Sequence, residues 1–228
     1  MATQIDETAP RLPLSRERVL QTAVTLADRD GVEGVSMRKI AQELGVVPMA
    51  LYKHVAGKDE LLGGMIDVVI SQIDPPATDL GWKAAIRERI LSARRALLRH
   101  PWASRVMESR TQPTPVVMAY MDSMIGMFIA GGFSIDLTHH VLHAMGSRLM
   151  GFSQELFNDQ TDPDNPIQPA MIEAIGETYP SIYQLWQTVS HEDESIVGPG
   201  CDDQFEFEFS LDLMLDGIER LRQREEQT

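Results

Sequence analysis

Cationic, phenolic and imidazole side chains are concentrated between residues 38 and 58, and their types and spacing point to contacts with nucleic acid. Lysine and arginine can bind phosphate oxygens or guanine, and tyrosine and histidine can reach phosphates. Small apolar side chains in the same stretch can contact the bases. The residues with these properties are Arg38, Met49, Ala50, Tyr52, Lys53, His54 and Lys58.

A helix followed by a tight turn is predicted to position these side chains. Ser36 can cap the start of the helix through its hydroxyl group, and Gly45 supplies the backbone freedom that a helix end requires. Pro48 is typical of the first turn of a second helix, because its missing N–H would be unsatisfied there anyway. The first helix has one apolar face, which consists of Met37, Ile40, Ala41 and Leu44.

The second helix turns Leu51 and Val55 to one side, which leaves the candidate contact residues on its other faces. This pattern is typical of a helix-turn-helix, whose second helix enters the DNA major groove. Such helix pairs also occur as plain packing units, and an exposed tyrosine or lysine on a short helix is commonly only solvated. The pattern alone therefore leaves both interpretations open.

Two further helices are predicted to flank this motif. Ser15 can cap an upstream helix whose apolar stripe ends before Gly31. Downstream, Asp59 and Glu60 lie in the first turn of another helix, where acidic groups favour the helix dipole. Together these segments predict a helical headpiece of about 60 residues.

The sequence resembles the tetracycline-repressor-like (TetR) family of bacterial regulators across most of residues 15 to 66. The resemblance lies in four successive segments, 31–34 (GVEG), 36–45 (SMRKIAQELG), 51–55 (LYKHV) and 58–62 (KDELL). It implies operator contacts at Ser36 and Pro48 in addition to the seven residues named above. Because Pro48, Met49, Ala50 and Lys53 depart from the tetracycline repressors, the operator sequence is expected to differ.

A weaker resemblance to the regulatory domain of the tetracycline repressors continues at 94–98, 131–134 and 207–218. The positions that recognise tetracycline and magnesium in that branch align here with Asp74, Arg89, Ala93, Met107 and Arg110, and none of the recognising residue types is retained. The expected effector is therefore a small molecule other than tetracycline. Arg89 and Arg110 are either ordinary solvated residues or pocket residues, and a pocket arginine would indicate an anionic effector.

Methionines in the middle of this domain suit an adaptable cavity, although a methionine-rich helix is more often plain core. His139, His140 and His143 have the spacing of a shared metal site. No Cys or Glu lies on their face, so we expect hydrogen-bonded pocket or core histidines and no metal. The predicted ligand contacts are Arg89, Ala93, Met107, Arg110, Met124 and His143.

The periodicity predicts an all-α fold in three parts, a flexible N-terminal segment (1–14), a helix-turn-helix domain (15–73) and a helical regulatory and dimerisation domain (80–228). Helical patterns run from Trp82 to Arg99, from Pro115 to Ala130, from Ile135 to Phe157 and from about Tyr179 to Ser190, with a loop at 158–169.

Residues 205–215 alternate in polarity like a strand, but an isolated strand would lack a partner, so we predict a helix there. Apolar flanks on this helix and on the helix from residue 135 predict a four-helix interface in a homodimer. A homodimer places two headpieces against the two halves of a palindromic operator.

The charge distribution agrees with this division of the chain. Acidic residues outnumber basic ones, 34 to 20, which would count against DNA binding if charge were uniform. Residues 1–60 hold 8 basic and 9 acidic residues (net −1), whereas residues 61–228 hold 12 and 25 (net −13). Because phosphate attraction is local, a headpiece with clustered cations can bind DNA while the acidic remainder keeps the protein soluble.

Other classes of protein find little support in the sequence. No uncharged run approaches about 18 residues and no secretion signal is present, so we expect a cytoplasmic protein without membrane contact. Cys201 stands alone, and no motif indicates an enzyme, a catalytic residue or a cofactor. The leading hypothesis is a dimeric, ligand-responsive repressor, and the alternative is an activator or an effector-independent regulator of the same fold.

Overall fold

Helices dominate the described part of the chain. The computed structural model describes residues 13–149, 176–181, 183–184, 194–195, 198–199 and 203–227. Its helices are α1 (Arg16–Asp30), α2 (Met37–Leu44), α3 (Pro48–Leu51), α4 (Lys58–Ile70), α5 (Trp82–Arg99), α6 (Trp102–Ser109), α7 (Pro115–Ala130), α8 (Ile135–Leu149) and α9 (Asp203–Glu225). Residues 176–178, 180–181 and 183–184 are also helical. Strands β1 (Glu194–Ser195) and β2 (Gly198–Pro199) pair antiparallel. The all-α prediction is confirmed, with this hairpin as a local exception.

Local sequence signals set the boundaries of the first helices. The hydroxyl groups of Ser15 and Ser36 accept hydrogen bonds from the backbone N–H three residues ahead, at 3.2 and 3.3 Å, so both act as predicted N-caps. Gly45 ends α2 in the left-handed conformation, with φ 66°, which an L side chain rarely adopts. Pro48 is the first residue of α3, as predicted.

A common apolar core joins α1 to α4 and continues into the next helices. The predicted stripe of α1 is buried, and so are Leu51 and Val55, which attach α3 to the core. Ala96 near the end of α5 and Trp102 at the start of α6 belong to the same cluster. The chain divides into two compact units, one ending at Gly131 and one beginning at Gly132. The predicted domain limits at 15–73 and 80–228 stay a prediction.

Most predicted helices are observed where the chain is described. The bounds of α5 and α7 agree with the prediction, and α8 agrees as far as Leu149. Residues 150–157 of that predicted helix and the loop at 158–169 lie outside the described residues, as does most of the helix expected at 179–190. The last segment is a helix, with Phe207, Leu211, Leu215 and Ile218 buried. Helix α6 was not predicted from the sequence.

Candidate nucleic-acid interface

The short helix α3 is held by its apolar side and presents its other sides to solvent. The side chains of Leu51 and Val55 are at most 1% exposed, whereas Met49 is 73% exposed and Tyr52 49%. The backbone continues past α3 in a turn in which the N–H groups of His54 and Val55 donate to the carbonyl of Leu51. The burial of two apolar residues four positions apart therefore determines which sides of α3 face the solvent.

None of the nine predicted contact residues is buried. Ala50 and His54 are half-buried and the others are exposed, namely Ser36, Arg38, Pro48, Met49, Tyr52, Lys53 and Lys58. Ser36 already accepts the backbone N–H of Lys39 as the cap of α2, and its O–H remains able to donate to a phosphate. Exposure is necessary for DNA contact, and the assignment of the nine residues stays a prediction.

Cations near α3 differ in how they are neutralised. The ammonium group of Lys39 lies 3.7 Å from Asp30, and Arg29 pairs with both Asp30 and Glu43. Among the described residues no carboxylate lies within ion-pair distance of Arg38, Lys53 or Lys58. These three exposed cations can therefore pair with phosphates without first breaking an internal ion pair.

Helix α4, which begins at Lys58, is tied to the helices that follow it along its length. At its N-terminus, Nη1 of Arg110 donates to the backbone carbonyl and to Oδ1 of Asp59, at 2.9 and 3.0 Å. In its middle, the hydroxyl of Thr114 donates to a carboxylate oxygen of Asp67. Gly63 lies beneath the same arginine, because a Cβ there would meet its guanidinium group at 3.2 Å.

A second set of contacts, the polar joint, links the end of α4 with α1, α5 and α6. It consists of Asp28, Gln72, His100 and Trp102. Oδ1 of Asp28 accepts the indole N–H of Trp102 at 2.7 Å and lies 2.8 Å from Nδ1 of His100. The other ring nitrogen of His100 lies 3.0 Å from the side-chain amide of Gln72. This joint could not be predicted from the sequence, because Asp28 and Trp102 are 74 positions apart and neither belongs to a motif.

Asp74 fastens the segment after α4 to α5. Its carboxylate accepts hydrogen bonds from the hydroxyl of Ser92 at 2.7 Å and from Arg95 at 2.9 Å. The hydrogen bond from Ser92, followed by the interactions with Arg95, lowers the pKa of Asp74 below its ordinary value. The backbone carbonyl of the same residue accepts a hydrogen bond from Arg89.

The two arginines of the predicted ligand set are not solvated surface residues, so that interpretation is wrong. Arg89 is 8% exposed, and its guanidinium carbon lies 5.0 Å from the ring centroid of Tyr120. Burial raises the pKa of this tyrosine. The side chain of Arg110 is 16% exposed, because it reaches under α4 to Asp59. The buried Nε–H groups of both arginines have no hydrogen-bond acceptor among the described residues.

The other predicted ligand residues lie on four different helices and differ in their exposure. Ala93 on α5 is half-buried, Met124 on α7 is buried, and Met107 on α6 packs on the core that α1 to α4 share. His143 is exposed on α8, so the expectation of a core histidine is wrong for it. Its ring centroid lies 4.6 Å from that of His139. No group of three or more possible metal ligands occurs among the described residues.

Helix α9 carries an exposed apolar stripe, which consists of Phe205, Phe209, Leu213 and Leu221. These side chains are 45 to 61% exposed in the single chain. They recur every four residues, and Gly217 occupies the one position of this spacing that has no side chain. The rings of the two phenylalanines stack with centroids 6.2 Å apart. The opposite face of α9 is buried, so this helix is apolar on two sides. No helix in the described segments has the length and apolarity needed to cross a bilayer.

Two family models match this chain. Residues 19–65 match the model of bacterial regulatory proteins of the tetR family, and residues 75–222 match the model of the tetracyclin repressor-like C-terminal domain. The sequence is 33% identical over 225 residues to the HTH-type transcriptional repressor DrrR1 of Streptomyces coeruleorubidus, a match that covers 93% of this chain and 80% of that protein.

Solved structures share the fold. ActR, a TetR family protein of Streptomyces coelicolor solved with actinorhodin, matches with a TM-score of 0.68 at 23% identity, over 92% of this chain and 99% of that one. BioQ, solved with its natural double-stranded DNA operator, matches with a TM-score of 0.60 at 22% identity, over 90% and 98% of the two chains. The relatives found are transcriptional regulators rather than enzymes.

Proposed function

Because the chain belongs to the tetracycline-repressor-like (TetR) family of DNA-binding transcriptional regulators, we propose that it is a homodimeric repressor that leaves a palindromic operator when a small molecule other than tetracycline binds. It acts in the bacterial cytoplasm and needs no cofactor, metal or membrane. The observation that carries this proposal is the exposed face of the helix-turn-helix, where Arg38, Lys53 and Lys58 have no internal ion pair among the described residues.

The proposed contacts divide into those that position the headpiece and those that read bases. Arg38, Lys53 and Lys58 neutralise phosphates, and Lys53 can alternatively reach a guanine. Tyr52, His54 and Ser36 donate hydrogen bonds to phosphate oxygens. Pro48, Met49 and Ala50, at the start of α3, lie against base edges in the major groove.

Homodimer formation is supported by the exposed stripe of α9. Four large apolar side chains along one helix lose contact with water if a second copy covers them, which favours association by about 25 cal/mol per Å² of buried apolar area. In the proposed dimer, α8 and α9 of each protomer form a four-helix interface. Two headpieces are then held at a fixed spacing, so that they engage both halves of a palindrome together.

Release by an effector is supported by the ties on α4. This helix carries Lys58 at its N-terminus and is hydrogen-bonded to Arg110 and Thr114, and Gln72 of the polar joint lies two residues after its last residue, Ile70, so a ligand that shifts α5 to α7 also shifts α4. A ligand that favours the shifted conformation lowers the affinity for DNA by the difference between its own affinities for the two conformations. The proposed ligand contacts are Arg89, Ala93, Met107, Arg110, Met124 and His143.

The test begins with the DNA. Fluorescence anisotropy of the purified protein is measured on a fragment from upstream of its own gene, with excess non-specific duplex and at two salt concentrations. We expect saturable, competitor-resistant and salt-sensitive binding. Binding that the competitor abolishes, on this fragment and after selection from randomised duplexes, would contradict the proposal.

The same assay then serves the search for an effector. Compounds that raise the melting temperature of the protein are added to the preformed complex, and a true effector lowers the anisotropy in proportion to its occupancy. Tetracycline with magnesium is the matched negative control, because the residues at its five recognition positions differ here. Release by tetracycline would contradict the proposed ligand class.

A further inference from the structure

The tip of the recognition helix has an unusual composition. Residues 45–51 (GVVPMAL) contain no polar side chain. Leu51 is buried and Val46 half-buried, but Val47 is 67% exposed, Met49 is 73% exposed, and Pro48 between them is exposed as well. We call Val47, Pro48 and Met49 the apolar tip. Its exposure in the folded headpiece is not explained by packing within the chain.

Few of the chemical groups on base edges can form favourable contacts with the apolar tip. In the major groove, guanine, adenine and cytosine are distinguished by hydrogen-bond donors and acceptors, whereas thymine also presents its C5 methyl group. The side chains of the apolar tip can neither donate nor accept these bonds, except weakly through the methionine sulfur, and Pro48 lacks a backbone N–H as well. A thymine methyl is the one base feature that an aliphatic surface contacts favourably.

We propose that the apolar tip reads thymine methyl groups in each half of the operator, and that Val47 and Met49 are specificity-determining residues. This inference rests on the proposed DNA-binding function. The exposed cations Arg38, Lys53 and Lys58 lie in the same headpiece, and their charge favours DNA over an apolar protein surface as the partner. Val47 precedes α3, but it is the N-cap residue of that helix and therefore belongs to the same surface that contacts the thymine methyl groups.

The expected effect of one methyl group is small but measurable. Burying one methyl-sized group is worth about fourfold in affinity, so loss of one thymine methyl in both half-sites of a palindrome weakens binding by about fifteenfold. Phosphate contacts are unchanged by this loss. The dependence of affinity on salt therefore keeps its slope.

The experiment uses the full-length protein and an operator obtained by selection from randomised duplexes. Each thymine of the selected site is replaced by deoxyuridine, which removes only the C5 methyl group, and affinity is measured by anisotropy at two salt concentrations. We expect a loss at one or two thymines in each half-site with an unchanged salt slope. The double variant Val47→Ala, Met49→Ala should lose most of the difference in affinity between the thymine and uracil operators, because only Pro48 of the apolar tip keeps its side chain.

The controls separate the possible failures. Leu98→Ala removes an exposed apolar side chain on α5 and should keep the preference for thymine. If no sequence is enriched and competitor DNA abolishes binding, the proposed function fails. If an operator is enriched but binds equally well with uracil throughout, or if the double variant keeps the preference, this inference alone is overturned. Circular dichroism checks that the variants fold, and the uracil series on the unmodified protein decides the question without them.

Discussion

Single side chains around α4 determine which charges remain available for DNA. Arg89 and Arg110 are withdrawn into the protein, and Arg29 and Lys39 are paired with acids. An exposed cation without an internal partner contributes its full charge to phosphate binding, whereas a paired one must first give up its partner. Removal of Lys53 is therefore expected to lower DNA affinity more than removal of Lys39, which is paired with Asp30.

Lys53→Ala is predicted to weaken operator binding and to flatten its salt dependence by about two units in the log–log slope for the dimer on its palindrome, because about one fewer counterion is released for each protomer. The homodimer should remain intact. Anisotropy titrations between 50 and 200 mM salt, about the range where such slopes are resolved, measure both effects. Lys83→Ala, the same change in the first turn of α5, is the control. An unchanged affinity of the Lys53 variant would exclude Lys53 from the DNA interface.

Asp74→Asn is predicted to reduce the stability of the protein in a pH-dependent way. The pKa of Asp74 is lowered in the folded protein, first by the hydrogen bond from Ser92 and then by Arg95, so the stabilisation is fully present above the ordinary aspartate pKa of about 3.9. It is lost as the pH falls through the lower, folded-state pKa. Urea unfolding should thus show a difference between variant and unmodified protein at pH 7 that shrinks below about pH 4.

The control for this effect is Asp79→Asn, which changes another exposed carboxylate in the same segment. Its unfolding should not reproduce the pH dependence. A difference at Asp74 that stayed constant from neutral to acid pH would show that the amide disturbs packing rather than removing a charge.

Helices were easier to predict than the contacts between them. The bounds of α5 and α7 follow from periodicity and from Pro115, and the orientation of α3 follows from Leu51 and Val55. The polar joint and the Asp67–Thr114 contact did not follow, because hydrogen bonds between residues 28 to 74 positions apart leave no periodic trace. Helix α6 was missed because it lacks the start signal that marks α2, a helix of the same length: Pro101 stands at its N-cap, and no side chain caps it.

Thr114→Val is predicted to lower the free energy of unfolding by about 1 to 2 kcal/mol, since it removes two hydrogen bonds at once. The hydroxyl caps α7 by accepting the N–H of Val117 at 3.2 Å, and it donates to Asp67 on α4. Chemical denaturation measures the loss. Thr114→Ser should recover most of it, and Thr111→Val, at an exposed position three residues earlier, should be close to neutral. A Ser variant as unstable as the Val variant would contradict this explanation.

At the scale of the whole molecule, charge and apolar surface are divided between two tasks. The net charge of −13 after residue 60 disfavours wrapping of DNA around the body, so attraction is confined to the headpiece. The stripe on α9 lies in the second compact unit and is suited to contact another protein chain rather than DNA. In the proposed dimer, affinity for a palindrome depends on both surfaces.

Phe209→Glu is predicted to convert the protein to monomers, because it places a charge in the middle of the apolar stripe. Light scattering coupled to size exclusion measures the mass directly. Affinity for the full palindrome should fall by at least about a hundredfold, whereas affinity for an isolated half-site should hardly change. Leu80→Glu, a similar change at an exposed position between α4 and α5, should leave the dimer intact, and a dimeric Phe209 variant would exclude the stripe from the interface.

The core shared by α1 to α4 with the end of α5 and with α6 limits how this regulator can be recombined. A chimera that joins residues 13–73 to the body of another family member would uncover the apolar surface now covered by Ala96, Trp102 and Val106, and would leave Asp28 without its indole donor. Exchange of operator specificity between relatives therefore requires either grafting of the exposed faces of α2 and α3 alone or transfer of the headpiece together with α5, α6 and the start of α7. The segment that has to be inherited as one piece extends past the recognition motif at least to Thr114, because Arg110 and Thr114 are hydrogen-bonded to α4.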